Sequence, residues 1–138
     1  MNIDSIKNGI VIDHIEAGRG MEIYNLLRLD LLDCPVAIIK NVISRKMGKK
    51  DIIKIDEVID LDLNIIGFID PDITVNIIKD SKNEKLAKIE PPQTVTNLIR
   101  CKNPRCITST EQELDHIFKL TDRENMVYRC IYCETKAK

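Results

Sequence analysis

Four cysteines in the last third of the sequence have a spacing that is typical of a metal site. They form a C-x4-C pair and a C-x2-C pair, with 23 residues (107–129) between the pairs: Cys101, Cys106, Cys130 and Cys133. Zinc prefers four soft ligands in a tetrahedron, and two short cysteine loops can each offer two thiolates to one ion. The spacing therefore predicts one zinc ion per chain. Because four thiolates leave no open coordination position, we expect a structural rather than a catalytic site.

The segment around these cysteines needs a metal ion or another cross-link to fold, because it has few large apolar side chains. About forty residues with so small a core rarely fold without a metal or a disulfide. Zinc binding would therefore contribute directly to the folding free energy of this segment. Two alternatives remain, a redox-active C-x2-C pair and unrelated core cysteines, but two pairs in one small segment favour zinc. His116 is a further candidate ligand, although the cysteines already complete the shell.

The composition places the chain among globular proteins. Of its 138 residues, 43% are hydrophobic and 31% are charged, and the net charge is −1, so nothing global favours nucleic acid or an anionic membrane as a partner. The first residues lack a basic segment followed by an apolar one, and no apolar run approaches the roughly 20 residues of a membrane span. We therefore expect a cytoplasmic protein, in which cysteine clusters serve metal or redox chemistry rather than stable disulfides.

Five short runs rich in β-branched residues and two helical patterns fill the first ninety or so residues. Strands are predicted at residues 9–15, 36–43, 51–55, 73–78 and 85–89, and helices at 23–31 and from Asp60 or Asp62 to Phe68. Residues 44–50 have the composition of a basic loop. The order β-α-β-β-α-β-β is typical of an α+β fold, here a ferredoxin-like sandwich with one sheet and the helices on one of its faces.

A proline-containing segment, Glu90-Pro91-Pro92, separates this region from the cysteines. Two prolines stiffen the chain and remove two backbone donors, which predicts a hinge between domains. We therefore divide the chain into a domain of residues 1–92 and a domain of residues 93–138. Short β segments at 97–100, 117–121 and 126–129 make the second domain a small all-β unit.

Four features, in this order, resemble one known family over essentially the whole chain. They are residues 6–15 with the motif G-x-V-I-D-H-I from Gly9, residues 47–55 (M-G-K-K-D-I-I-K-I), residues 74–78 (T-V-N-I-I) and the four-cysteine frame with its spacing. By these motifs the chain resembles the regulatory chain of aspartate carbamoyltransferase, an enzyme of pyrimidine biosynthesis. The resemblance implies a regulatory subunit that is not itself an enzyme, so no catalytic residues are expected.

The resemblance also implies the partners of the chain. The N-terminal domain would bind the nucleotide effectors CTP or ATP, and the C-terminal zinc domain would contact the catalytic chains. Asn103 and Glu134 match positions near the zinc loops that lie at this contact. Two regulatory chains would form a homodimer, and such dimers would bridge catalytic trimers in a larger complex.

The residues of the effector site follow from the resemblance by position. They are Asp13, His14, Lys50, Lys54 and Asn76, with Ile3, Asp4, Ser5 and Ile6 in the segment that lines the base pocket. Lys50 and Lys54 lie four apart on a strand, so both project from one face at a separation of roughly 13 Å. Lysine suits a triphosphate, and a histidine can donate to phosphate oxygens. Without the resemblance, a solvated basic loop and a strand-end histidine would be the simpler interpretations.

The chain departs from the family after Asn76. Where the family has a tyrosine, apolar residues and then a lysine that meets phosphate, this chain has Ser81, Lys82, Asn83 and Leu86. Lys85 or Lys88 could replace the missing cation, although alternation places Lys85 on the face opposite position 86 unless a bulge intervenes. We therefore expect effector binding that is weaker, or differently selective, than in a typical member of the family.

Two other classes of function compete with this interpretation. A zinc-ribbon protein that binds nucleic acid would need a denser basic stripe and stacking aromatics, whereas residues 97–138 carry eight basic and six acidic side chains and the chain has no Trp. An enzyme would need a nucleophile–base pair, a glycine-rich phosphate loop or an open metal site, and the sequence offers none of these. The zinc-ribbon protein remains the alternative to a regulatory subunit.

Overall fold

The structure is a computed structural model, and it describes residues 7–87 and 89–137. The predictions for Lys88 and for Ile3, Asp4, Ser5 and Ile6 lie outside the described residues, as do those for the side chains of Lys85 and Leu86. The chain divides into two compact units, of which the first ends at Glu90 and the second begins at Pro91. Within the described ranges, no helix is long and apolar enough to cross a membrane.

Over its described residues, the first unit contains five strands, two α-helices and one 3-10 helix. In chain order they are β1 (Gly9–Glu16), α1 (Gly20–Leu26), the 3-10 helix (Leu29–Leu31), β2 (Val36–Ser44), β3 (Gly48–Ile55), α2 (Leu63–Ile69), β4 (Thr74–Lys79) and β5 (Lys82–Ala87). The strands form an antiparallel sheet in the order β2-β3-β1-β4-β5. The first four strands have the ferredoxin-like arrangement, and β5 extends it at one edge. The predicted α+β class and element order are confirmed.

Alternation along the strands puts the apolar side chains of the sheet on one face, against the helices. The buried side chains of this core include Ile10, Ile12, Ile23, Ile53, Ile55, Ile66 and Val75. The strand neighbours of these residues point to the opposite face, which we call the outer face. Val11 of β1, Lys54 of β3 and Asn76 of β4 lie there, and each is partly exposed.

Two hairpins are tighter than the sequence suggests. Gly48 adopts a φ of 80° and closes the β2–β3 hairpin, so the predicted loop 44–50 shrinks to residues 45–47 and Lys50 joins β3. The β4–β5 hairpin turns at Asp80 and Ser81, both with positive φ, which is the geometry of a two-residue turn. Strand β5 therefore begins at Lys82 rather than at residue 85.

The two helices of the first unit are short. The predicted helix 23–31 is divided, because α1 ends at Leu26 and Arg28 takes a left-handed φ of 54° before the 3-10 helix. Helix α2 begins after Asp62, one of the two predicted caps, whose carboxylate accepts a hydrogen bond from the Asn64 N–H group at 3.0 Å. This contact satisfies a backbone donor that the first turn of the helix would otherwise leave unpaired.

In the second unit, the described residues form three strands and one short helix: β6 (Thr94–Thr96), α3 (Ile107–Thr110), β7 (Ile117–Asp122) and β8 (Val127–Cys130). The strands make an antiparallel sheet in the order β6-β7-β8, and Val95 and Phe118 are buried in its core. The predicted strand at 97–100 is wrong. The strand precedes these residues, because Asn97 takes a left-handed φ of 59° and ends it. The other two predicted β segments are confirmed.

Candidate functional sites

The four cysteines of the second unit come together in one cluster. Their Sγ atoms all lie within 4.8 Å of one another, with 3.4 Å between Cys101 and Cys133 and 3.6 Å between Cys106 and Cys130. None of the four takes part in a disulfide. A tetrahedral zinc ion with Zn–S bonds of about 2.3 Å would hold its sulfurs about 3.8 Å apart. The cluster therefore fits a single zinc ion bound by four thiolates.

Asn103 organises the first cysteine loop. Its side-chain Oδ1 accepts a hydrogen bond from the Arg105 N–H group at 3.0 Å, and its carbonyl accepts from the Cys106 N–H group at 3.1 Å. The same carbonyl accepts from the Ser109 hydroxyl at 2.7 Å. Cys106 directly precedes α3, so the hydrogen bonds of Asn103 fix the second half of the loop and join it to the start of this helix.

The second cysteine loop follows β8. The carbonyl of Cys130 accepts from the Glu134 N–H group at 2.9 Å, and the N–H group of Cys130 donates to the Thr135 carbonyl at 2.9 Å. Glu134 has a φ of 63°, which turns the chain back toward β8, where Arg129 Nη1 donates to its carbonyl at 3.0 Å. A strand end and a closed turn therefore fix Cys130 and Cys133.

The thiols of the cluster differ in acidity. Burial raises the pKa of Cys101 to about 12 and also raises the pKa of Cys130. By contrast, the Thr135 hydroxyl, 3.2 Å from the sulfur, lowers the pKa of Cys133 to about 6. A metal ion binds thiolates, so its binding would release the protons that the buried thiols carry.

His116 supports the cluster rather than joining it. Its Nδ1 accepts a hydrogen bond from the Cys101 N–H group at 3.2 Å, and it does not belong to the group of side chains that could hold the ion. The candidate ligand of the sequence analysis is therefore a residue that orients the backbone of the first cysteine.

Asp13, His14 and Lys50 meet at the outer face of the first unit. Lys50 Nζ lies 2.9 Å from Asp13 Oδ1, and the same oxygen accepts from the His14 N–H group at 2.6 Å. His14 Nδ1 lies 2.8 Å from the hydroxyl of Thr74 on β4. Sequence reasoning missed Thr74, although it is the first residue of the T-V-N-I-I motif. A basic group, an imidazole and a hydroxyl are thus held side by side.

Lys54 and Asn76 flank Val11 in the next row of the same face. Val11 pairs with Lys54 of β3 on one side and with Asn76 of β4 on the other. Asn76 Oδ1 accepts a hydrogen bond from Asn83 Nδ2 at 2.9 Å. Asn83 is one of the residues at which the sequence analysis expects a departure from the family, and it contacts a predicted site residue directly. All five residues predicted for the effector site belong to this one region.

Comparisons with known proteins cover both units. Residues 1–98 match the family model for the allosteric domain of the aspartate carbamoyltransferase regulatory chain, and residues 93–138 match the model for its metal binding domain. A protein of Clostridium acetobutylicum named aspartate carbamoyltransferase regulatory chain is 54% identical over 134 residues, which are 97% of this chain and 92% of the relative. A protein of the same name from Clostridium tetani is 52% identical over 135 residues, which are 97% of this chain and 94% of the relative. Another, from Bifidobacterium longum, is 37% identical over 138 residues, which are 100% of this chain and 99% of the relative.

Proposed function

The chain belongs to the family of aspartate carbamoyltransferase regulatory chains, and on that premise we propose that it binds the catalytic chains of that enzyme and adjusts their activity in response to CTP or ATP. It is a regulatory chain with an allosteric and a metal-binding domain, not a catalytic one. Its place of action would be the cytoplasm, where pyrimidine biosynthesis takes place and where cysteines are kept as thiols or metal ligands.

The nucleotide proposal is carried by one observation, the joint placement of Asp13, His14, Lys50, Lys54 and Asn76 on the outer face. Two lysines and an imidazole can bind a triphosphate, and Asn76 can hydrogen-bond a base or a ribose. When the Thr74 hydroxyl donates to His14 Nδ1, the other ring nitrogen carries the proton and can donate to a phosphate oxygen.

The metal proposal is one structural zinc ion per chain, bound by Cys101, Cys106, Cys130 and Cys133. The sulfur cluster and the hydrogen bonds of both cysteine loops support it. The ion would hold the two loops together and supply folding free energy to a unit whose core is small. With four thiolate ligands, it would activate neither water nor substrate.

Docking to the catalytic chains would use the surface beside the cysteines. Ile107, Ile131 and Tyr132 each directly follow a cysteine or lie between two of them, and their side chains are 48%, 46% and 45% exposed. Asn103, which is half-buried, and Glu134, which is exposed, are polar residues of the same two loops. An apolar and aromatic centre with a polar rim is the usual composition of a protein–protein interface.

A homodimer of regulatory chains would use the first unit. Strand β2 lies at one edge of the sheet, and Ile43 on this strand is 87% exposed. An edge strand offers unpaired backbone donors and acceptors to a further strand. A second copy of this chain, paired along β2, would cover both the edge and the exposed isoleucine.

The test of the proposed function mixes the purified chain with catalytic trimers of aspartate carbamoyltransferase from the same source. Gel filtration measures assembly, and enzyme activity is followed while CTP or ATP is added. Lys54→Ala is expected to assemble but to respond weakly, whereas Lys46→Ala, an exposed residue of the β2–β3 turn, serves as the matched control. Failure to assemble would overturn the docking proposal, and nucleic acid bound to the purified chain would favour the zinc-ribbon alternative.

A further inference from the structure

Two β-bulges flank the middle of β3, one in each neighbouring strand. On β1, the register skips Asp13 and His14, which together lie opposite Ile52. On β2, it skips Lys40 and Asn41, which together lie opposite Asp51. The second residue of each bulge is left-handed, with a φ of 60° at His14 and 59° at Asn41. A side chain other than glycine adopts this conformation only where its surroundings stabilise it.

A carboxylate holds the backbone of each left-handed residue. On the outer face, Asp13 Oδ1 accepts the hydrogen bond of the His14 N–H group at 2.6 Å. Beside β2, Asp51 Oδ1 accepts that of the Asn41 N–H group at 3.1 Å. In both bulges a carboxylate accepts the hydrogen bond of the left-handed residue. The bulge in β1 supplies its own carboxylate, whereas the neighbouring strand β3 supplies the one for the bulge in β2.

The Asp51 carboxylate is completely buried, with 0% of the residue exposed. Its second oxygen, Oδ2, accepts from the Gly18 N–H group at 3.0 Å and from the Gly20 N–H group at 3.1 Å. A buried carboxylate is tolerated only with such donors. These glycines lie between the end of β1 and the first turn of α1. Asp51 thus joins the bulge of β2 to the segment that leaves β1.

Lys50 and Asp51 act on the two bulges from opposite faces of β3. Lys50 reaches the Asp13 carboxylate of the β1 bulge on the outer face, at 2.9 Å. Asp51, the next residue, points toward the core and holds Asn41 and the glycines. The position of the Lys50 ammonium group relative to Asp13 and His14 therefore depends on a contact made on the far side of the strand.

We propose that Asp51 is a positioning residue for the nucleotide site. It fixes the backbone of Lys50 and the exit of β1, and through them the directions in which Lys50, Asp13 and His14 point. A change of register at a bulge changes the directions of its side chains. Loss of the Asp51 contacts would therefore move the side chains of the nucleotide site apart, although every residue of the site would still be present. The inference rests on the proposed function, since it concerns the geometry of the same site.

Three variants test the proposal. Asp51→Asn keeps one acceptor oxygen but places an NH2 group against N–H donors, so one set of hydrogen bonds is lost. Gly20→Ala keeps the Asp51 carboxylate but crowds it, because the new Cβ would lie 3.0 Å from Asp51 Oδ2. Ile66→Val, in the fully buried core of α2, is the control, because it lowers stability without touching either bulge.

Amide hydrogen exchange without ligand provides the first measurement. Asp51→Asn is expected to accelerate exchange at Asn41 and also at His14 by at least about tenfold relative to Ile66→Val at matched global stability. His14 is the decisive position, because its N–H group bonds to Asp13 and not to Asp51. Unchanged protection of the His14 amide would overturn the proposal, whether or not the chain binds nucleotide.

Calorimetry with CTP and ATP provides the second measurement. Asp51→Asn is expected to weaken binding about tenfold, Gly20→Ala less and in the same direction, and Ile66→Val not at all. Equal effects of Asp51→Asn and Ile66→Val would show that Asp51 merely stabilises the fold. Should Asp51→Asn not fold, the comparison is made with Gly20→Ala: weaker binding than in Ile66→Val supports the proposal, and equal binding contradicts it. Absence of binding by the wild-type chain would refute the proposed function and leave the exchange measurement to decide the inference.

Discussion

The Lys50 ammonium group lies 2.9 Å from Asp13 Oδ1, and the two side chains are only 16% and 21% exposed. Lys54, four residues along the same strand, lies opposite Val11. Removal of Lys50 would leave the Asp13 carboxylate beside the proposed phosphate site without this cation.

We expect Lys50→Ala and Lys54→Ala each to weaken nucleotide binding. Each change removes a charged hydrogen-bond donor, which costs on the order of 1–3 kcal/mol. Lys50→Ala also leaves the Asp13 carboxylate facing the phosphates without its cation. Calorimetry measures the difference, with Lys46→Ala as control, and zinc content and assembly should be unchanged in all three variants. Nucleotide binding by Lys50→Ala with the same affinity as Lys46→Ala would contradict this expectation.

Removal of zinc should unfold the second unit and leave the first folded. A chelator is expected to abolish the NMR signals of folded residues 91–137. The amides of the five-stranded sheet should keep their protection from hydrogen exchange, because each unit has its own core. Cys101→Ser and Cys133→Ser should act in the same way and prevent assembly with the catalytic chains. NMR with elemental analysis checks both. Metal-free chain that still assembles normally would refute the link between zinc and docking.

Zinc affinity should fall as the pH is lowered, with a steeper fall below about pH 6. The pKa of Cys133 is lowered to about 6, so this thiol enters the site as a thiolate at neutral pH and becomes protonated below that value. Burial raises the pKa of Cys101 to about 12, so zinc displaces this proton throughout the range. The stability that zinc contributes should thus decrease as the pH falls, and more steeply below about pH 6.

Competition with a chelator between pH 5 and pH 8 measures this dependence. Thr135→Val is the matched variant, because it removes the hydroxyl that lowers the pKa of Cys133 and preserves the shape of the side chain. In this variant the steeper fall in zinc affinity should begin at a higher pH than in the wild-type chain. An identical profile for the two proteins would show that Thr135 does not control the acidity of the site.

Tyr132→Ala should weaken binding to the catalytic chains by about ten- to a hundredfold, since exposed aromatic residues at the centre of an interface carry much of its binding energy. The side chain is 45% exposed, so the metal site and the fold of the unit should be unaffected. Ile43→Asp, on the edge strand of the first unit, is the control for docking and should instead disrupt the homodimer. Surface-bound catalytic trimer gives the affinity, and sedimentation gives the oligomeric state.

We expect the wild-type chain to bind CTP and ATP weakly, because the resemblance described above implies aromatic and apolar residues where this chain has Ser81 and Asn83. Asn83 also engages Asn76 Oδ1 at 2.9 Å. Asn83→Val would free this oxygen to accept from the exocyclic amino group of cytosine or adenine, so CTP affinity should rise relative to that of UTP, which lacks the amino group. Calorimetry with the three nucleotides measures the ratio. Tight, base-selective binding by the wild-type chain would contradict the expectation.

The element order and the cysteine cluster could be predicted from the sequence because each depends on local pattern. Ile10 and Ile12 of β1 and Ile53 and Ile55 of β3 alternate with residues of the other face, and all four side chains are buried. Short cysteine loops bring their own sulfurs close together, whatever the rest of the chain does. The motif match placed the predicted effector residues on neighbouring strands for the same reason, since the motifs lie on β1, β3 and β4.

The bulges could not be predicted, because they depend on contacts between residues distant in sequence. His14 meets Thr74, which is 60 residues away, and Asp51 holds Gly18, which is 33 residues away. Neither contact leaves a periodic signal. The misplaced strand at 97–100 has a similar cause, since the side chain of Asn97 bonds to Asp115 and to the N–H group of His116, and these bonds favour a turn over a longer strand.

Two short sulfur–sulfur distances, 3.4 Å from Cys101 to Cys133 and 3.6 Å from Cys106 to Cys130, run between the two cysteine loops. If zinc leaves while an oxidant is present, disulfides formed by these pairs would join the same loops that the ion had joined. A doubly oxidised chain could keep its shape but could not take up zinc again until a reductant opened the bonds. Loss of metal is then reversible in reducing surroundings and irreversible in oxidising ones.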